Sequence, residues 1–68
     1  MVSQCYLNYE KLRDKEHFTD YYVSKKTGVP RSLFSLWRSG AHAPSLNSLE
    51  KLSNFFNVPI RYFYEGEL

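Results

Sequence analysis

The chain has 68 residues, is 43% hydrophobic and 18% aromatic, and carries a formal charge of +2. That is enough apolar material for one small core and too little chain for a second, and it excludes a disordered segment. A single cysteine, Cys5, cannot make an internal disulfide, no apolar run approaches the ~20 residues that cross a bilayer, and no signal-peptide pattern opens the chain, so a reducing, cytoplasmic setting is expected.

The first predicted helix covers about Ser3 to Lys15. Cys5, Tyr6, Tyr9 and Leu12 recur at helical spacing, while Glu10, Lys11, Asp14 and Lys15 take the other side. Glu16-His17 leads into a connector, and Phe18 precedes Thr19 as a hydrophobic staple would. Thr19 suits an N-cap, and Asp20 behind it suits the positive end of a helix dipole. This second helix lasts about two turns and turns Val23 and Thr27 inward. Gly28 stands where a chain leaving a helix needs a left-handed residue, Val29 plugs the corner, and Pro30 fits the entry to the next helix. Phe34 and Trp37 face inward together on that third helix, which stops at Ser39-Gly40. A tight glycine-containing turn between two short helices is the pattern of a DNA-reading helix-turn-helix.

After the loop Ala41-His42-Ala43-Pro44, Ser45 can cap a fourth helix bearing Leu46, Leu49, Leu52, Phe55 and Phe56, with Asn57 as its stop. Val58-Pro59 introduces a last short helix from Ile60 to about Tyr64, ended by Gly66. The expected fold is therefore all-α, five short helices in one domain over residues 1–68, with no repeats. The expected core holds Tyr9, Leu12, Phe18, Val23, Val29, Phe34, Trp37, Leu49, Leu52, Phe56, Val58 and Phe63.

Charge is unevenly distributed. No acid lies between Asp20 and Glu50, an interval that holds Lys25, Lys26, Arg31 and Arg38, whereas the rest of the chain has five basic and seven acidic residues. The positive field is centred on the helix-turn-helix, where a polyanion needs it. Lys25, Lys26 and Arg38 are expected to hold DNA phosphates, contacts that set affinity and orientation without reading sequence.

Several motifs in order then carry a resemblance. They are Leu12-Arg13, T-x-x-x-V-S-x-x-T-G-V-P at Thr19 to Pro30, F-S-x-W-x-x-G at Phe34 to Gly40, P-S-L-x-x-L-x-K-L at Pro44 to Leu52, and V-P-I-x-Y-F from Val58. The chain resembles the XRE family, the Cro and phage-repressor type of helix-turn-helix regulator. The resemblance implies a compact, lambda-repressor-like five-helix bundle whose third helix enters the major groove. It further implies a transcription regulator, often a homodimeric repressor, of bacterial or phage origin. Carried over by position, base reading falls on Arg31, Ser32, Ser35 and Leu36, and backbone contact on Thr19, Asp20, Ser39, His42 and Ser45. Arg31 at the N-terminal end of the third helix can pair bidentately with guanine.

The chain departs from the family pattern in three ways. Leu33 and Leu36 occupy positions often polar in DNA readers, so a protein partner in place of DNA is the alternative occupant of that face. The Ala41-His42-Ala43 loop lacks the lysine or arginine many relatives place there. Arg38 stands where many members carry a glutamate paired with the arginine matching Arg13. Both residues here are basic, so Arg38 is expected to turn outward and Arg13 to find another partner.

His17, His42 and Cys5 have no metal-ligand spacing, and neither a P-loop, a dinucleotide fingerprint nor a nucleophile motif occurs. No metal, cofactor, small-molecule ligand or catalysis is expected, and no membrane partner. Twelve aromatics exceed what so small a core absorbs, and Tyr62 and Tyr64 on the last helix are the expected self-association patch of a homodimer.

Overall fold

Helix boundaries fall where the chain can satisfy the amides and carbonyls that a helix end leaves unpaired. In the computed structural model, which describes residues 1–67, Ser3 Oγ accepts from Tyr6 N at 3.2 Å and opens α1 (Gln4–Lys15). Thr19 Oγ1 accepts from Tyr22 N at 3.0 Å and opens α2 (Asp20–Thr27). Pro30, with φ −59°, leads into α3 (Arg31–Ser39) without a side-chain cap. Ser45 Oγ accepts from Ser48 N at 3.3 Å at the start of α4 (Leu46–Phe56), and α5 (Arg61–Glu65) follows Ile60. Each hydroxyl cap contributes about 1 kcal/mol.

The exits are left-handed. Gly28 leaves α2 with φ 82° and Asn57 leaves α4 with φ 58°. Gly40 has a second reason to be glycine: a Cβ there would lie 2.9 Å from the Met1 carbonyl carbon, where nothing can give way but backbone. Among the described residues the fold has five helices and no strand, as expected. The first helix starts one residue later than its periodicity suggested, because Ser3 serves as its cap, and the last starts at Arg61 after the Ile60 turn.

The helix-turn-helix pair α2–α3 rests on α4 through α2, and α1 lies along α5. Tyr9, Val23, Val29, Phe34, Trp37, Leu49, Leu52 and Phe63 are buried together, with Leu12 at the edge. Phe34 and Trp37 meet edge to face at 5.0 Å, and Tyr9 lies 5.2 Å from Phe34, which ties α1 to α3. Phe18, Phe56 and Val58 are only half-buried and pack against this cluster. Phe18 spans the α1–α2 corner, with its ring 4.7 Å from Tyr22 and 5.6 Å from Phe55.

Tyr6 joins the core as well, and so does Asn8. Asn8 Nδ2 donates to the Phe63 carbonyl at 2.8 Å, and its Oδ1 accepts from Gln4 Nε2 at 3.0 Å, so a fully buried amide fastens α1 to α5. Cys5 is half-buried against the same cluster.

Tyr62 requires a correction. It is 8% exposed and belongs to the core, so it cannot form a surface patch with Tyr64. Residues two apart on a helix point to nearly opposite sides, and docking of α5 on α1 takes Tyr62 inward with Phe63 while leaving Tyr64 exposed.

Candidate nucleic-acid interface

The turn between α2 and α3 is fixed by two side chains. Ser24 Oγ donates to the Val29 carbonyl at 2.6 Å, while Thr27 Oγ1 donates to the Val23 carbonyl at 2.8 Å and accepts from Val29 N at 3.2 Å. With Gly28 between them, these bonds hold α3 at a set angle to α2 and bury Val29 in the corner.

Burial along α3 follows its 3.6-residue period. Phe34 and Trp37 are buried, whereas Arg31, Ser32 and Ser35 are exposed. Three of the four expected base-reading residues are thus free on one side of the helix. Leu36 differs, being half-buried like Leu33. Both line an open groove of about 240 Å³ with Trp37, His42, Ala43, Ser45 and Ser48. Leu46, at the start of α4, is exposed.

The expected phosphate-contacting groups lie around this face in different states. Lys25 and Lys26 are exposed on the last turn of α2, where their charge also suits the negative helix end. His42 is exposed in the loop. The hydroxyls of Thr19 and Ser45 accept the cap bonds of α2 and α4, and the Ser39 hydroxyl donates to the Leu36 carbonyl at 3.0 Å. Those three groups hold helix ends first, and only their remaining hydrogen-bonding capacity faces solvent.

Arg38 and Asp20 are the second correction. Asp20 is not a free, solvated carboxylate. Its Oδ1 accepts from the Tyr9 hydroxyl at 2.7 Å and from Arg13 Nη1 at 3.0 Å, and its Oδ2 accepts from Arg38 Nη2 at 2.5 Å. Burial alone would raise this carboxyl, but the hydrogen bonds from Tyr9, Arg13 and Arg38 outweigh it and hold it below the usual carboxylate range. Burial and the same bond to Asp20 push the Tyr9 hydroxyl far up, so it stays a donor. One carboxylate therefore joins α1, α2 and α3 in place of a direct α1–α3 ion pair. Arg38 does lean outward, at 56% side-chain exposure, but its charge is offset by Asp20 rather than free. The cations around the face that lack an acidic partner among the described residues are Lys25, Lys26 and Arg31.

One pairing and one residue here are not read from the sequence. The spacing that capped α2 at Thr19 gave no sign that Asp20 would meet two arginines from other helices. Tyr21 was passed over, yet its half-exposed ring lies under both Lys25 and Arg31. Its spacing of four from Lys25 was a usable signal; the approach of Arg31 across the turn was not.

A family model described as a helix-turn-helix matches residues 10–63, a span that begins within α1 and runs through the turn, α3 and α4 into α5. The chain belongs to the XRE helix-turn-helix family. A curated relative of this XRE-family chain, the HTH-type transcriptional activator BcrR of Enterococcus faecalis, is 33% identical over 58 residues, which is 85% of this chain and 28% of that protein. The chain thus spans little more than a quarter of the length of the relative it matches. No solved structure matches it significantly. No described helix is long and apolar enough to cross a membrane.

Proposed function

We propose that this XRE-family chain acts as one sequence-specific DNA-binding domain of a transcription regulator, occupying an operator with α3 in the major groove. The observation that carries this is the exposed Arg31–Ser32–Ser35 side of α3, together with the exposed Lys25 and Lys26, which have no acidic partner among the described residues. In this reading Arg31 reads guanine, a contact worth about 1–3 kcal/mol of discrimination. Ser32 and Ser35 allow close approach, and Leu36 meets a thymine methyl from its groove. Lys25 and Lys26 hold phosphates, with Thr19, Ser39, His42 and Ser45 supporting at the backbone. A second copy supplies the other half-site about 34 Å away, since one domain of this size makes too few contacts for tight binding. Tyr64 alone of the two tyrosines remains available to such a dimer.

Selection from a random duplex pool, followed by a salt series on the selected sequence, tests this. A recovered consensus and a log–log salt slope near −0.9 per phosphate contact support it, and salt-independent or absent duplex binding overturns it. The groove of Leu33, Leu36 and Ala43 favours one other reading, a protein-interaction module on the same fold, in which those leucines contact a protein instead of DNA.

A further inference from the structure

Tyr21, the second residue of α2, is 51% exposed, and two cations stand over its ring. Arg31 Cζ lies 5.0 Å from the ring centroid and Lys25 Nζ 5.4 Å. Lys25 comes from one turn further along the same helix, but Arg31 comes from across the turn, at the first residue of α3. Among the described residues no ion pair holds the Arg31 guanidinium, and the Tyr21 ring is what it meets.

We propose that Tyr21 is a specificity-determining positioning residue, whose ring face fixes the pose in which Arg31 reads a base. The inference rests on the DNA-binding reading above. An arginine free in solvent spreads over many rotamers and must give them up when it pairs. The negative face of an aromatic ring attracts the guanidinium and narrows that spread before DNA arrives. The ring attracts the guanidinium through its charge and accepts none of its N–H donors as a conventional hydrogen bond, so those that pair bidentately with guanine stay available. Lys25 meets the same ring from within α2, so both cations share one aromatic partner. What this role needs is the ring face, not the hydroxyl. Phenylalanine should therefore replace Tyr21 and leucine should not.

The test is binding selection and quantitative affinity for the unaltered protein, Tyr21→Phe, Tyr21→Leu, Arg31→Ala and the Tyr21→Leu/Arg31→Ala pair. Melting temperature and random-duplex affinity are measured for each. Tyr21→Leu is expected to reduce preference at the base read by Arg31 by about two- to five-fold, with melting temperature and salt slope unchanged. Tyr21→Phe should match the unaltered protein, and Tyr21→Leu should change preference no further once Arg31 is alanine. Unchanged preference in Tyr21→Leu overturns the assignment, as does a loss uniform over all sequences or equal damage by phenylalanine. Absence of salt-dependent duplex binding by the unaltered protein instead overturns the DNA reading itself, and that outcome is read without any variant.

Discussion

Arg38 on α3 donates through Nη2 to Oδ2 of Asp20, the first residue of α2, while the other carboxylate oxygen takes Arg13 and Tyr9 from α1. Three helices thus meet at one acid that sits at the N-terminal end of its own helix, where negative charge is already favoured. The Asp20 side chain is 16% exposed, so its bonds are partly shielded from water while the Arg38 end stays wet. Arg38 also reaches the Tyr6 hydroxyl at 3.4 Å, a weaker link to the same core face of α1.

Asp20→Asn should leave Arg13 and Arg38 facing each other without the charge that separates them. A loss of about 1–3 kcal/mol of stability is expected, the range for hydrogen bonds to charged groups. Because the folded carboxyl titrates below its unfolded value, its contribution is complete above about pH 4 and disappears as pH falls through the lower folded value. Thermal melts from pH 7 down to pH 2 check both points: the unaltered protein should lose stability in that acid range more steeply than Asp20→Asn. Parallel acid profiles would count against the arrangement.

The cations should divide by what already neutralises them. Lys25→Ala and Lys26→Ala should each weaken binding to every duplex and flatten the log–log salt slope by about one. Arg38→Ala should change that slope less, since Asp20 offsets its charge, and should lower the melting temperature instead. Salt titrations and melts on the three variants decide it. A slope change for Arg38→Ala as large as that of the lysines would mean that phosphate draws Arg38 away from Asp20.

Trp37→Ala should cost about 3–5 kcal/mol. Its indole is almost fully buried, stands edge-on to Phe34 and lines the groove together with Leu33 and Leu36. At about 0.05–0.15 kcal/mol per residue a chain of 68 residues holds only about 3–10 kcal/mol in all, so the variant should melt early or fail to fold. Chemical denaturation measures this, and near-normal stability would refute the packing role.

Leu36 separates the two functional readings. Contact with a thymine methyl predicts that Leu36→Ala lowers affinity by about 1–3 kcal/mol for operators carrying that thymine and little for others. Service to a protein partner predicts intact DNA binding and a weakened protein complex. A purely structural role predicts a lower melting temperature with no selective binding defect. Melting temperature, operator affinity and non-specific affinity of this one variant distinguish the three.

The amino-acid sequence by itself determined the helices, because their ends are written in local chemistry. Ser3, Thr19 and Ser45 each cap with their own hydroxyl, and Gly28, Asn57 and Gly66 turn left-handed within a few bonds of where they stand. The inward side of α3 was legible for the same reason, since Phe34 and Trp37 obey one helical period. Only the tertiary structure decided how charges and polar groups pair between helices. Asp20 meets Arg13 and Arg38 across 7 and 18 positions, and Asn8 meets Phe63 across 55, separations that no local pattern encodes. Asn8 lies between Cys5 and Leu12 on the buried side of α1, but an amide there reads as an error in the apolar stripe until the α5 carbonyl it satisfies is known. Tyr62 and Tyr64 carry the same side chain, and composition could not tell them apart. The docking of α5 on α1 buries one and leaves the other in water, because a helix turns about 100° with each residue.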